Sequence, residues 1–257
     1  MTIRNLFFLA FLVPCFAAER FEEKTFDVEP GVRFSLDHYK GHIRVRTDDR
    51  SQIQIKTKVY LTPEQSDYSE KECQKVVDAM EVLYSHRGNK VSVDLDQSSS
   101  QGLFSSLFGK SMTQPYVDFE IILPDSASLK IDSYKGSFDI HCPSELIDFE
   151  TYKGTGHLSG VRSDFKLETY KGELEIDIEA MKDIEAETYK GDILMNIQGG
   201  FDFTLIGETY KGDFKVLGLD TAAMSKDGGD LYLKEGKGTY RVDLETYKGV
   251  ITLKFQD

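Results

Sequence analysis

The sequence predicts an all-β fold: a β-solenoid of 17–21-residue coils, with a helix-containing insertion near the N-terminus. Three observations predict it. The tripeptide Tyr-Lys-Gly occurs seven times, at Tyr39, Tyr134, Tyr152, Tyr170, Tyr189, Tyr210 and Tyr247. Apolar and polar residues alternate with period two on both sides of each copy, the signature of strands. The polar residues themselves recur in register, which a core alone does not require but a stack of coils does. A meander of Lys-Gly hairpins is the competing architecture. It needs apolar faces, not the same exposed residues each time.

The chain opens with a segment that reads as an export signal. Arg4 supplies the positive start, Leu6 to Val13 the apolar run, and Cys15-Phe16-Ala17 the small residues at a cleavage site. Residues 1–17 are therefore expected to be removed, leaving 18–257 as one domain outside the cytoplasm, secreted or in the cell envelope. Leu12-Val13-Pro14-Cys15 offers a lipoprotein alternative, although proline stands where a small residue is expected. No later run is apolar enough to span a bilayer.

The first repeat, Phe34 to Gly41, carries Ile43 and Val45 at the inward positions after its glycine. The next lies 95 residues later, so the intervening chain, about 60–115, is read as an insertion. Gln52–Tyr60 alternates as a strand. Thr62-Pro63-Glu64-Gln65 reads as a helix start, and Val76, Val77, Met80, Leu83 and Tyr84 follow helical spacing, which predicts a helix over about 63–85 ended by Gly88-Asn89. Val91–Leu95 and Tyr116–Leu123 are further strands. Between them a serine-rich loop carries Leu103, Phe104, Leu107 and Phe108, a candidate apolar contact unless it folds back onto the domain.

From Tyr134 to Tyr210 the spacings are 18, 18, 19 and 21. A worn copy at Asp227-Gly228-Gly229-Asp230-Leu231 divides the remaining 37 residues and carries the period to the C-terminus. With Tyr as position zero, apolar residues fall at −5, −3, +4 and +6, and a small residue at −1. The glycine at +2 is expected to supply a positive φ at a corner. Lysine stands at +1 in all seven copies and Asp or Glu at −2 in all seven. The acidic row is expected to offset the lysine row, and the tyrosines to stack between them. The last strand, Val250–Phe255, lacks an evident cap and is expected to leave an edge for pairing. Cys142 falls inward, which predicts a buried free thiol. His38 occupies a small inward position, which predicts a structural role.

The chain carries 44 acidic and 31 basic residues, a net charge of −13, and 40% hydrophobic residues. That is a folding composition. Without a basic stripe it argues against nucleic acid as a partner. The five histidines show no zinc spacing, and no phosphate loop, nucleophile elbow or calcium-loop pattern is present. No catalytic residue, metal or cofactor is therefore expected.

A segment such as Thr25-Phe26-Asp27-Val28-Glu29-Pro30-Gly31, then a glycine-marked repeat of the form apolar-x-Thr-x-x-Gly-x-Ile-x-apolar running to the C-terminus, resembles the bacterial putative-adhesin family of β-strand-repeat domains. The resemblance covers nearly all of the chain after residue 17. It implies an envelope-exposed or secreted β-solenoid without assigned catalytic residues. This sequence departs from the family pattern in its Tyr-Lys before the glycine and in its helical insertion.

The leading expectation is a non-catalytic binding or adhesin-like module for a glycan or an envelope protein. Its candidate contact residues are Tyr134, Tyr152, Tyr170, Tyr189, Tyr210 and Tyr247, with Lys153, Lys171, Lys190 and Lys211. The same ladder could instead serve only to hold the stack together. A scaffold joined through the solenoid ends and a sugar-active β-helix enzyme are the alternatives.

Overall fold

The computed structural model describes residues 18–62, 69–96, 114–199, 202–219, 224–227 and 229–256. The expected export segment, the helix start at 63–65 and the apolar loop residues Leu103, Phe104, Leu107 and Phe108 lie outside them. The N-terminal part forms β1 (Ala18–Asp27), β2 (Arg33–Asp48), β3 (Gln52–Leu61), α1 (Glu70–Ala79), β4 (Glu81–Arg87), β5 (Lys90–Asp96) and β6 (Tyr116–Pro124). The repeats follow as β7 (Ser128–His141), β8 (Ile147–Val161), β9 (Phe165–Ile178), β10 (Ile184–Thr188), β11 (Asp192–Gln198), β12 (Phe203–Thr209) and β13 (Asp213–Leu217). The chain ends in β14 (Met224–Asp227), β15 (Asp230–Glu235), β16 (Tyr240–Thr246) and β17 (Val250–Gln256).

All of these strands belong to one large sheet, and the sheet is mixed. This corrects the expectation of a solenoid running through the whole chain. The Tyr-Lys-Gly segments do pair in parallel and in register: Lys40 lies beside Lys135, Lys135 beside Lys153 and Lys153 beside Lys171. The pairs β1–β3, β3–β6, β4–β5, β12–β15 and β14–β15 are antiparallel.

The order of the copies is the second correction. β10 and β11 lie beside β9, as the period requires. Their other neighbours are β16 and β17, the last copy in the chain. β12 and β13 pair on the far side of that copy. Across the sheet the tyrosines therefore run 39, 134, 152, 170, 189, 247, 210. The chain overshoots one slot, turns through the β14–β15 hairpin and returns to fill it. Asp227 and Asp230 face each other in that hairpin, so the stretch read as a worn copy is a reversal of direction. The final strand, expected at an open edge, is paired on both sides, by β11 and β13.

The core is the inward set of the repeat. Ile131, Phe149, Leu167, Ala186 and Leu244 are buried at −3, and Ile140, Leu158, Ile176, Met195 and Leu253 at +6. Where one copy holds a large ring, a neighbour gives way. Gly156 lies opposite Phe138, and a Cβ there would sit 2.4 Å from the Phe138 carbonyl oxygen. Cys142 is a buried free thiol, pushed up to about 12 by burial. Cys73 lies on the buried face of α1 with Val76 and Val77.

The helix is shorter than its periodicity predicts. Ser69-x-x-Glu72 starts it: the Glu72 carboxylate accepts from the Ser69 backbone N–H at 2.9 Å and from its hydroxyl at 2.6 Å. Leu83 and Tyr84 belong instead to β4, which pairs with β5. Arg20 on β1 closes the helix at its other end, donating to the carbonyls of Val77, Asp78 and Met80 at 2.6–3.0 Å. Carbonyls at a helix end lack the usual i+4 donor, so a guanidinium is well matched to them; the Val77 carbonyl also accepts the Met80 N–H at 3.3 Å.

A ladder of tyrosine, lysine and carboxylate

Each Tyr-Lys-Gly copy places tyrosine and the −2 acid on the outward face, with a small residue between them pointing inward. Ser133, Thr151, Thr169, Thr188 and Thr246 are buried at that inward position. In two copies the threonine braces the turn from inside: Thr188 Oγ1 accepts the Gly191 N–H and Thr209 Oγ1 the Gly212 N–H, each at 2.8 Å. The same Thr-x-x-Gly spacing at Thr151, Thr169 and Thr246 does not form this bond, so the spacing alone does not announce it.

The glycine is needed for a different reason in most copies than the expected positive φ. Only Gly41 and Gly172 among the repeat glycines have one, at +146° and +137°. Close approach of stacked backbones is the broader cause. A Cβ on Gly249 would lie 1.8 Å from the Gly191 carbonyl oxygen, and one on Gly172 would lie 1.6 Å from that of Gly154. Glycine lies against glycine through the stack, leaving no room for any side chain.

This close approach brings the rings together. Seven tyrosines stack with neighbouring centroids 4.6–5.0 Å apart and planes within 10° of parallel. All six predicted tyrosines are in this ladder, and Tyr39 joins them. The stacking occupies the ring faces, so the ladder presents ring edges and hydroxyls rather than the flat strip a sugar face would need. Tyr210, at the end and 67% exposed, keeps one face without a tyrosine against it.

The expected network between the acidic and lysine rows does not form. Positions −2 and +1 are three residues apart, about 10 Å along a strand, and the tyrosine row stands between them. Lys171, Lys190, Lys211 and Lys248 instead place their ammonium groups 5.1–5.5 Å from the ring centroid of the preceding tyrosine. Among the described residues no carboxylate lies within ion-pair distance of Lys135, Lys153, Lys171, Lys190, Lys211 or Lys248. Among the −2 acids of the described residues, Glu168 has a cation within ion-pair distance, Lys166 at −4 of its own copy; the other lysine contacts in this region go to Asp148 and Glu185, which stand at −4 themselves. Lys130 contacts Asp148, and Lys166 lies 2.9 Å from Glu168 and 3.8 Å from Glu185.

A groove of about 400 Å³ runs between the acid row and the tyrosines, lined by Asp132, Glu150, Glu168 and Glu187 on one side and by Tyr134, Tyr152, Tyr170 and Tyr189 on the other. Partial burial and the neighbouring acids hold the carboxyls of Asp37, Glu150 and Glu187 above the usual range. His38 ends the groove. Its Nε2 lies 2.9 Å from the Val117 carbonyl, which can only accept, so Nε2 carries the proton and Nδ1 accepts from the Ser133 hydroxyl at 2.9 Å. Burial first, then the nearby His42, lower its pKa to about 4 against two supporting backbone contacts. The imidazole is a neutral structural bridge.

Both ring nitrogens of His38 are engaged, by Ser133 and Val117. Among the described residues no cluster of His, Cys, Asp and Glu could hold a metal ion, and no helix is long and apolar enough to cross a membrane. What the ladder offers chemically is a set of rows: carboxylates, phenol edges and ammonium groups, each repeated at the strand spacing of about 4.8 Å.

No family model matches the chain, and no curated protein does. Solved structures that resemble it include a putative cell adhesion protein from Clostridium sporogenes, 13% identical with a TM-score of 0.46, covering 92% of this chain and 100% of that one. A putative adhesin from Bacteroides fragilis is 10% identical with a TM-score of 0.28, covering 92% and 97%. A putative lipid binding protein from Parabacteroides distasonis is 8% identical with a TM-score of 0.26, covering 92% and 97%. These likenesses carry no argument about what the chain binds.

Proposed function

We propose that this is a non-catalytic binding protein that acts outside the cytoplasm, exported through residues 1–17, and that its tyrosine-lysine ladder contacts an envelope glycan or protein. The observation that carries this reading is the lysine row. Like charges about 4.8 Å apart repel by roughly 1 kcal/mol per pair even in water, and among the described residues no carboxylate lies within ion-pair distance of Lys135, Lys153, Lys171, Lys190, Lys211 or Lys248. A surface kept at that cost to stability is better explained by contact than by folding. The in-register pairing of β7, β8 and β9 supports reading that block as a short solenoid, a rigid track with its chemistry repeated along one axis.

The test is a glycan and envelope-extract binding screen with the purified protein beside a Tyr170→Ala/Tyr189→Ala variant. Binding by the parent that is lost in a variant with a native circular-dichroism spectrum is the expected result. Binding that survives in the folded variant would make the tyrosines structural only. Turnover of any glycan in the panel would overturn the non-catalytic reading.

A further inference from the structure

Resting on that reading, we infer that the lysine row is a track for a linear acidic polysaccharide, with the carboxylates of successive sugars meeting the ammonium groups of successive strands. In space the row runs Lys40, Lys135, Lys153, Lys171, Lys190, Lys248, Lys211. Lys40 is already engaged, its ammonium 3.6 Å from the Tyr116 ring centroid. The other six have no carboxylate within ion-pair distance among the described residues.

Three features point to a chain of acidic sugars. The first is regular spacing: one cation per strand, about 4.8 Å apart, in a straight line. A polymer with one carboxylate per ring and an extended backbone repeats on that scale, whereas duplex nucleic acid carries a charge every 1.7 Å or so of axis. The second is the company of the lysines. Tyrosine edges and hydroxyls line one side of the row and suit hydroxyl-rich rings better than their occupied faces would. The third is the confinement of positive charge. The acid row lies across the tyrosines, and the chain carries a net charge of −13, so a bulky polyanion is repelled while a thin one can follow the row.

The row is not uniform. At +3, beside the lysines, stand Ser137 and Thr155 in the copies of Lys135 and Lys153, and Glu173 and Asp192 in those of Lys171 and Lys190. The polyanion is therefore placed chiefly over Lys135 and Lys153, whose +3 neighbours carry no charge.

The experiment is isothermal titration of the purified protein with polygalacturonate, with its carboxyl-reduced neutral counterpart, and with duplex DNA. A Lys135→Gln/Lys153→Gln/Lys171→Gln variant is run in parallel. Polygalacturonate is expected to bind, to weaken ~10-fold or more between 50 and 200 mM salt as counterions return, and to weaken at least ~10-fold in the variant. The variant should melt no lower than the parent, because it removes like-charge repulsion. Equal binding of the neutral polymer, tighter binding of DNA, or an unchanged variant would overturn the inference. If the glycan and extract screen gives a ligand while polygalacturonate fails, the polyanion track falls and the binding reading stands. If neither gives a ligand, both fall.

Discussion

The two ends of the tyrosine ladder are closed by different means. At the Tyr39 end, β2 is covered by two strands, β5 of the insertion along its first half and β6, which follows the insertion, along its second. The contacts there are specific: His38 bridges Ser133 and Val117, Lys40 lies on Tyr116, and a Cβ on Gly41 would be 2.2 Å from the Val117 carbonyl oxygen. At the Tyr210 end the chain covers β12 with its own β15 and then places its last copy inside the stack. One end is closed by residues found nowhere else in the repeat, the other by a change of route. Unique side chains fix unique neighbours, whereas repeated ones fix the spacing and leave the order to the connections.

Breaking the repeated contact should cost most. Gly249→Ala forces a Cβ into the Gly191 carbonyl, and a loss of ~4 kcal/mol or more, or failure to fold, is expected in denaturant unfolding. Gly31→Ala, at a turn with φ +73° and nothing within 4 Å of the added carbon, should cost only about 1 kcal/mol. Similar losses at both sites would mean the ladder glycines are not packed as described.

The His38 bridge gives the Tyr39 end a pH dependence. Its folded pKa of about 4 lies below the unfolded 6.5, so between those values the unfolded chain binds a proton the native one does not. Stability should therefore fall by roughly 3 kcal/mol from this group as pH drops from 6.5 to 4. The acid row works in the opposite sense. Carboxyls held above their unfolded values lose stability as pH rises past those values, so acidification relieves them. Unfolding at pH 7 and pH 4 should show the parent losing more on acidification than His38→Gln. An equal loss would remove His38 as the cause.

Arg20→Ala should cost about 1–2 kcal/mol and speed amide exchange in α1 while leaving the ladder amides protected, because it uncovers three helix carbonyls far from the repeats. The smallest effect is expected at Glu187→Gln. Removing one charge among Glu245, Glu168 and Glu185 should raise stability at pH 7 by a few tenths of a kcal/mol, screened away in high salt.

Much of this was legible in the residues. The inward rows, the tyrosine stack, the strands at β3, β5 and β6, the buried Cys142 and the structural His38 all follow from period-two alternation and register. The order of the copies was not legible. Tyr189 meets the same atoms whether its neighbour is Tyr210 or Tyr247, so sequence similarity cannot choose between them. The stretch Asp227-Gly228-Gly229-Asp230 resembles Tyr189-Lys190-Gly191-Asp192 only because reversals and tight corners both favour glycine. Leu83 and Tyr84 continued a helical spacing by coincidence, and their pairing with β5 decided the matter. At the candidate site, the rows themselves could be read. That they do not neutralise each other could not, because it depends on the tyrosine rings standing between them.

The order of the copies is tested most directly by disulfide trapping. Glu245 lies in register beside both Glu187 and Glu208, so the pairs Glu187→Cys/Glu245→Cys and Glu208→Cys/Glu245→Cys have their backbones within disulfide reach. Glu187 and Glu208 are two strands apart, about 10 Å, which is beyond it. Mild oxidation of the folded protein should cross-link the first two pairs and leave Glu187→Cys/Glu208→Cys reduced. A rapid cross-link between 187 and 208, with none to 245, would show that the copies stack in chain order and that the last strand does not return into the stack.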